Sequence, residues 1–348
     1  MMFKFSCNLD WLEVFCLEPI NFNVIAALEY FNYDLKLRPY GTPIYRDVVT
    51  VYIGSLECFE IRCHPYSSIL DKRSAHIKLC NRFCYYEKSV EFLLEFINCF
   101  GYEFKNISRI DLALDFNCFA NGASVSAFIQ RYLNNTYAKI NQSRVGIHGK
   151  DTFDDKVWNS LKWGSESSEV TTKLYNKTLE MKETKRKFYI IDTWKQNGLD
   201  LEKDVWRIEF SLKSGYKIAV PNYDEGYIDI LDNNINWYID NSNKLRMWKV
   251  LYKKYFDFRR TQFTNRGTKQ RKDRCKRVEL FNLDDLKKST YLTRITRKTD
   301  VNRTDKILYN RLRNIYDCNA ESVSIRNACC ELMQYFHTHR RYGRDMSF

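Results

Sequence analysis

Three short stretches of this chain carry reactive side chains at strand spacing. Residues 172–181 read TKLYNKTLEM. Alternate residues of a strand point to the same side, so Lys173, Tyr175 and Lys177 are expected on one face and Thr172, Leu174 and Asn176 on the other. Residues 109–116, RIDLALDF, put Ile110, Leu112, Leu114 and Phe116 on one face and Arg109, Asp111, Ala113 and Asp115 on the other. Residues 205–213, VWRIEFSLK, separate Trp206, Ile208, Phe210 and Leu212 from Arg207, Glu209, Ser211 and Lys213. If the three share a sheet, one face is core and the other gathers a tyrosine, three carboxylates and several cations. That set suits a metal-assisted tyrosine nucleophile acting on a phosphodiester.

The chemistry sets requirements on each residue. A free tyrosine has a pKa near ~10 and is a poor nucleophile at neutral pH, so it needs a cation, a base or a polarised phosphate beside it. Lys177 on the same face is the candidate to stabilise the phenolate, and Arg207 the candidate to grip the scissile phosphate bidentately. Asp111 and Asp115 lie about 13 Å apart by strand rise. Glu209 with one of the two aspartates is therefore the better pair for Mg²⁺ or Mn²⁺, which bind through one or two carboxylates plus phosphate oxygens and water. Cross-strand ion pairs, with Arg109 or Arg207 matching an aspartate, explain the same alternation. Ser165 and Ser168, in the turn before the tyrosine strand, either donate to phosphate or close the turn. His64, His76 and His148 are scattered and read as structural or surface groups. His337 and His339 read as a frayed helix end.

The stretches also carry a resemblance. The order R-hydrophobic-D-x-A-x-D (109–115), G-S-x-x-S (164–168), hydrophobic-Y-N-K (174–177) and W-R-hydrophobic-E (206–209) resembles the replication initiation factor family, which includes the rolling-circle initiators of plasmids, phages and mobile elements. The resemblance spans residues 9–213, and more weakly continues to 258. The chain departs from the plasmid members at Lys162-Trp163, where those carry an aromatic pair. The resemblance implies an antiparallel central sheet with helices on one face, and Tyr175 as the nucleophile that forms a covalent 5′-phosphotyrosine. It further implies a divalent metal held by acidic residues of the two flanking strands, and action as a dimer.

The elements that must position these residues follow from periodicity. Strands are expected near 5–15, 45–53, 58–64 and 75–79, with Gly54-Ser55 turning a hairpin. Residues 90–100 form an apolar helix stopped by Gly101, and residues 124–133 a second, capped by Ser124. Residues 157–164 and 171–177 form a hairpin around the Gly-Ser-Glu-Ser-Ser turn, and 188–194 a short helix or turn. The alternation predicts an α+β fold with split βαβ-like elements. From residue 227 strand signals vanish. Residues 243–258 read as an aromatic-basic helix, 259–277 as a basic run too polar to pack, and 283–290, 305–316 and 320–337 as closing helices. The expected division is a nickase-like domain over 1–226 and a basic, mainly helical region over 227–348.

Charge points the same way. The net charge is +13. From residue 234 onward there are 27 Lys and Arg against 12 Asp and Glu, so the last third carries the whole excess. A one-sided basic excess is the footprint of a polyanionic partner. The expected contacts to the DNA backbone are Arg259, Arg260, Arg266, Lys269, Arg271, Lys272, Arg274, Lys276 and Arg277, with Arg109, Ser165 and Ser168 nearer the site. The 12 cysteines include no C-x-x-C and no Cys/His quartet at zinc spacing, and read as reduced, in keeping with a cytoplasmic protein. No apolar run is long enough to span a membrane.

Two readings remain. One is a metal-dependent origin nickase and strand-transferase that starts rolling-circle replication. Its partners would be double-stranded origin DNA, a single-stranded nick site, host helicase or polymerase, and a second subunit. The other is a non-catalytic DNA-binding accessory factor or copy-number regulator with the same fold.

Overall fold

The computed structural model describes residues 3–20, 23–30, 34–120, 122–141, 144–151, 156–184, 186–216, 218–221, 228–231, 234–262, 270–271, 274–293 and 327–328. In chain order the first half contains β1 (Ser6–Leu17), α1 (Val24–Tyr30), β2 (Asp34–Leu37), β3 (Tyr45–Ile53), β4 (Leu56–Pro65), β5 (Ser74–Leu79), α2 (Asn81–Cys84), α3 (Ser89–Cys99) and β6 (Glu103–Phe116). There follow α4 (Val125–Leu133), β7 (Tyr137–Lys139), β8 (Val145–Asp151), β9 (Lys156–Trp163), β10 (Val170–Asn176), α5 (Lys177–Glu183), α6 (Phe188–Gln196) and β11 (Trp206–Lys213). The described chain closes with β12 (Ile218–Pro221), β13 (Ile228–Leu231), α7 (Asn241–Tyr255) and β14 (Phe258–Arg260). Ten strands form one sheet in the order β2-β3-β4-β5-β1-β6-β11-β10-β9-β8. This is the α+β architecture that the alternation predicts.

The three reactive stretches are neighbours. β6, β11 and β10 pair antiparallel, so Asp115, Arg207 and Tyr175 lie in one cross-strand row, and Ala113, Glu209 and Lys173 in the next. Directly opposed residues point to the same side. Leu112, Leu114, Leu174, Ile208 and Phe210 share the other side and are fully buried. Helix α7 covers that side: the Trp248 ring lies 5.8 Å from Phe210, and its indole N–H donates to the Ile208 carbonyl at 3.3 Å. Helix α3 covers the β4 end, with Phe96 4.9 Å from Phe59. It stops at Gly101, whose φ of +69° is the left-handed conformation that ends helices.

Several expectations change here. Strand structure does not end at 227: β13 and β14 follow, and β14 pairs with β7. The segment 259–277 is not wholly outside the packed body. Arg259 lies in β14, and Arg259 and Arg277 both pair with Asp257, at 2.8 and 3.3 Å. Residues 283–290 form only a 3-10 turn at Leu283–Asp285. The helices expected at 305–316 and 320–337 lie outside the described residues, apart from a helical pair at 327–328. The apolar core also crosses the expected division at 226, because Trp248, Leu251 and Phe256 join the same buried cluster as Leu114 and Phe210. The aromatic-basic stripe of α7 is core packing.

Helix α7 should therefore be indispensable for folding. Trp248→Ala should cost about 3–5 kcal/mol in urea denaturation, and a chain cut at Asn234 should lack cooperative unfolding altogether. A truncated chain that still unfolds cooperatively would show that the sheet does not need this cover.

Candidate active site on the charged face of the sheet

β10 ends at Asn176, whose side-chain oxygen accepts from the Leu179 backbone N–H at 2.9 Å and caps α5. Tyr175 is thus the last outward-facing strand residue, and Lys177 the first residue of a helix. The expected strand alternation does not extend to Lys177. The lysine is nevertheless close: its Nζ lies 5.5 Å from the centre of the Tyr175 ring and 2.7 Å from Glu180. Burial and the nearby Arg207 charge lower its pKa.

Tyr175 donates its hydroxyl to Glu209 Oε2 at 2.9 Å. Lys173 Nζ holds the other carboxylate oxygen, Oε1, at 2.6 Å. Burial around the phenol, then the Glu209 charge, raises the Tyr175 pKa well above its ordinary value. The tyrosine is therefore protonated at rest, with a carboxylate already in place to accept the proton. Burial alone would lower Lys173, but Glu209 more than offsets it and keeps the ammonium charged.

Asp111 lies one row further along, opposite Ser211 on β11 and Trp11 on β1. Arg109 chelates it through Nε at 3.0 Å and Nη2 at 2.5 Å. Burial pushes its carboxyl up to about 6 despite the arginine, and the charge of Glu209 adds to the rise. Asp111, raised by burial and by the charge of Glu209, is a hard-oxygen donor whose ionisation a divalent cation would favour. Asp111 and Glu209 stand on neighbouring strands one row apart, each offering carboxylate oxygens.

Asp115 and Arg207 are committed elsewhere, contrary to their expected roles as metal ligand and phosphate clamp. Both are fully buried. Arg207 donates Nε to Asp115 Oδ1 at 2.6 Å and Nη2 to Asp115 Oδ2 at 2.8 Å. It also donates Nη1 to Asp10 Oδ1 at 2.7 Å, and Nη2 to the Tyr85 hydroxyl at 2.9 Å. The Trp194 indole of α6 occupies Asp115 Oδ2 at 2.7 Å. No donor of the guanidinium faces solvent for a phosphate to take. Asp10 is the partner that sequence periodicity misses. It is the extra residue of a bulge in β1, where the register skips from Leu9 to Trp11. Burial would raise Asp10, but Arg207, Lys177 and a hydrogen bond from Tyr85 hold it well below the usual carboxylate range.

The remaining candidates lie away from this cluster. Ser165 and Ser168 close the β9–β10 turn: the Ser165 N–H donates to Ser168 Oγ at 2.9 Å. They sit about 23 Å from Tyr175 by strand rise. Among the basic residues, Arg266, Lys269 and Lys272 lie outside the described residues, Arg259 and Arg260 lie in β14, and Arg271, Arg274, Lys276 and Arg277 follow it. A group without a motif stands at the far end of the β3–β4 hairpin. Asp47 Oδ2 is 2.5 Å from His64 Nδ1, and Cys63 Sγ is 3.9 Å from the same nitrogen. Ligand atoms of these three lie within 4.8 Å of one another. His64 joins its neighbour's side of the strand because its φ is +57°, a conformation that side chains rarely adopt. Cross-hairpin pairing, invisible at a separation of 17 residues, brings Asp47 in.

No protein-family model matches the chain, and no curated protein matches it. Among solved structures, it is similar to the rolling circle replication initiator protein from Geobacillus stearothermophilus, with a TM-score of 0.51 and 14% identity. The superposition covers 81% of this chain and 97% of that one. At this identity the likeness is one of fold: the chain has the fold of a rolling-circle replication initiator.

Proposed function

We propose that the protein initiates rolling-circle DNA replication by nicking one strand of an origin with Tyr175. The observation that carries this reading is the Tyr175–Glu209 hydrogen bond on the charged face, beside Asp111, in a fold shared with an initiator. In this reading the Tyr175 oxygen attacks the scissile phosphorus and its proton passes to Glu209. The new tyrosyl O–P bond replaces the P–O3′ bond, and the departing 3′-oxygen takes up a proton to become the primer hydroxyl. The phosphodiester energy is kept in the phosphotyrosine for rejoining. Lys173 balances the charge on Glu209, and Lys177 stands beside the ring where negative charge develops. Asp111 and Glu209 would hold a Mg²⁺ or Mn²⁺ ion, which supplies Lewis-acid polarisation of the phosphate. Duplex origin DNA would be held by the basic residues around and after β14, and host helicase and polymerase would extend the primer. A second subunit would supply the tyrosine that resolves the product.

Tyr175→Phe keeps the ring and removes the nucleophilic oxygen. With supercoiled DNA bearing the element's own origin and Mn²⁺, the wild type should nick, and the variant should bind but not nick. A phenylalanine variant that nicks at the wild-type rate would move the nucleophile elsewhere. A wild type that binds without nicking would support the accessory-factor reading.

The ion site has its own test. Asp111 carries a folded pKa of about 6, above its unfolded value of 3.8. Its contribution to stability is therefore full below the unfolded value and is lost as pH rises through about 6. Without divalent ions, Asp111→Asn should be more stable than wild type at pH 7, and that advantage should shrink by pH 4.5. Mn²⁺ should raise the wild-type melting midpoint at pH 7, but not that of the variant. Equal Mn²⁺ responses in the two proteins would exclude Asp111 as a ligand.

A further inference from the structure

A cleft of about 1120 Å³ opens between the β2–β5 end of the sheet and the start of α6. Its rim carries Lys36, Arg38, Arg82, Arg186 and Lys187, with Lys78 on the floor. Three carboxylates, Glu57, Glu60 and Asp192, also line it. Glu60 is already neutralised by Arg38 and, at 2.7 Å, by Arg62. The lining therefore has a surplus of cations. Pockets for small organic ligands are mostly apolar, and this one is not.

Aromatic rings stand among the cations. Phe188, the first residue of α6, is 65% exposed, although a phenylalanine gains nothing from water. The Arg186 guanidinium lies 5.2 Å from the centre of that ring. Tyr52 and Tyr189 face the same cleft. Cations that follow a phosphate backbone, interleaved with rings on which bases stack, are the features that bind single strands without reading sequence.

Two chains of side-chain contacts connect the cleft to the row of the nucleophile. On the floor, Lys78 Nζ sits 3.6 Å from the Trp11 ring, and Arg109 lies 4.3 Å from the same ring. Arg109 holds Asp111, one row from Glu209. Beneath the α6 wall, Tyr189 packs edge-on against the buried Tyr85 at 5.1 Å, and Tyr85 is bonded to the buried Arg207 in the row of Tyr175. From β5 to β10 is four strand spacings, about 19 Å.

We propose that this cleft is a binding groove for single-stranded DNA that seats one arm of the melted strand and delivers it across Trp11 to Tyr175. The proposal rests on the nicking reading for its direction, and on the cleft's own chemistry for its ligand.

Fluorescence anisotropy with labelled oligo(dT), and with a labelled duplex as the control, tests it in the Tyr175→Phe protein, where no adduct can form. Phe188→Ala, which leaves a surface position, should weaken oligo(dT) binding roughly 5- to 150-fold, the loss of one stacked base. Arg82→Glu should lower the salt slope by about 0.7 or more, one phosphate contact on a single strand. Neither should change duplex affinity. Unchanged oligo(dT) affinity in both variants overturns the groove, and so does an equal loss on the duplex. The two readings fail separately. A wild type that forms the covalent adduct while the cleft variants bind oligo(dT) normally loses only the groove. Cleft variants that lose oligo(dT) binding in a protein that never nicks lose only the nicking.

Discussion

A guanidinium without access to water must be neutralised where it stands, and the site is built on one. Arg207 is fully buried and spends its donors on Asp115, Asp10 and Tyr85. Burying an ion costs several kcal/mol, and removing one partner of such a group typically costs about 3–5 kcal/mol because the remaining charge is stranded. The cluster therefore accepts little change. It ties β11 to β6 through Asp115, to β1 through the Asp10 bulge and to α6 through Trp194. It fixes the row of the sheet in which Tyr175 stands, and with it the distance from Tyr175 to Glu209 in the next row.

Above this fixed base the charges are arranged differently. Glu209 and Asp111 are each held by a partly exposed cation, Lys173 and Arg109. A lysine on a flexible stem is a replaceable partner. In the proposed reading a divalent ion would take over its role beside Glu209, or a phosphate would draw the lysine away, without disturbing the base. In the proposed reading the buried cluster supplies position, and the partly exposed pairs would respond to substrate. Tyr175 sits at the junction of the two, protonated until something offsets the charge that burial opposes.

The sheet was legible because period-two alternation is strong where one face is core. Residues 109–116 and 205–213 give their faces; the pairing of Asp115 with Arg207 is one that alternation allows, whereas that of Lys173 with Glu209 depends on a register that alternation does not set. What alternation misses is where the period breaks. Asn176 ends β10 by capping α5, so Lys177 leaves the strand. Asp10 enters the cluster only because a bulge inserts one residue. Roles are less legible than faces: Arg207 and Glu209 look alike as polar residues of one face, and only their partners separate them, buried carboxylates for Arg207 and the partly exposed Lys173 with Tyr175 for Glu209. The charge count of the last third misleads for a similar reason. Lys244 is fully buried, bonded to Asn241 and 5.1 Å from the centre of the Tyr291 ring, so a count of charges there does not measure exposed charge.

The central claim is that Tyr175, positioned by this base, becomes covalently joined to DNA. Peptide mapping of the denaturation-resistant adduct tests it most directly. After nuclease and trypsin digestion, the account predicts nucleotide mass on the peptide spanning residues 174–177, which ends at Lys177. Nucleotide mass on a peptide carrying another tyrosine, such as Tyr85 or Tyr189, would contradict it.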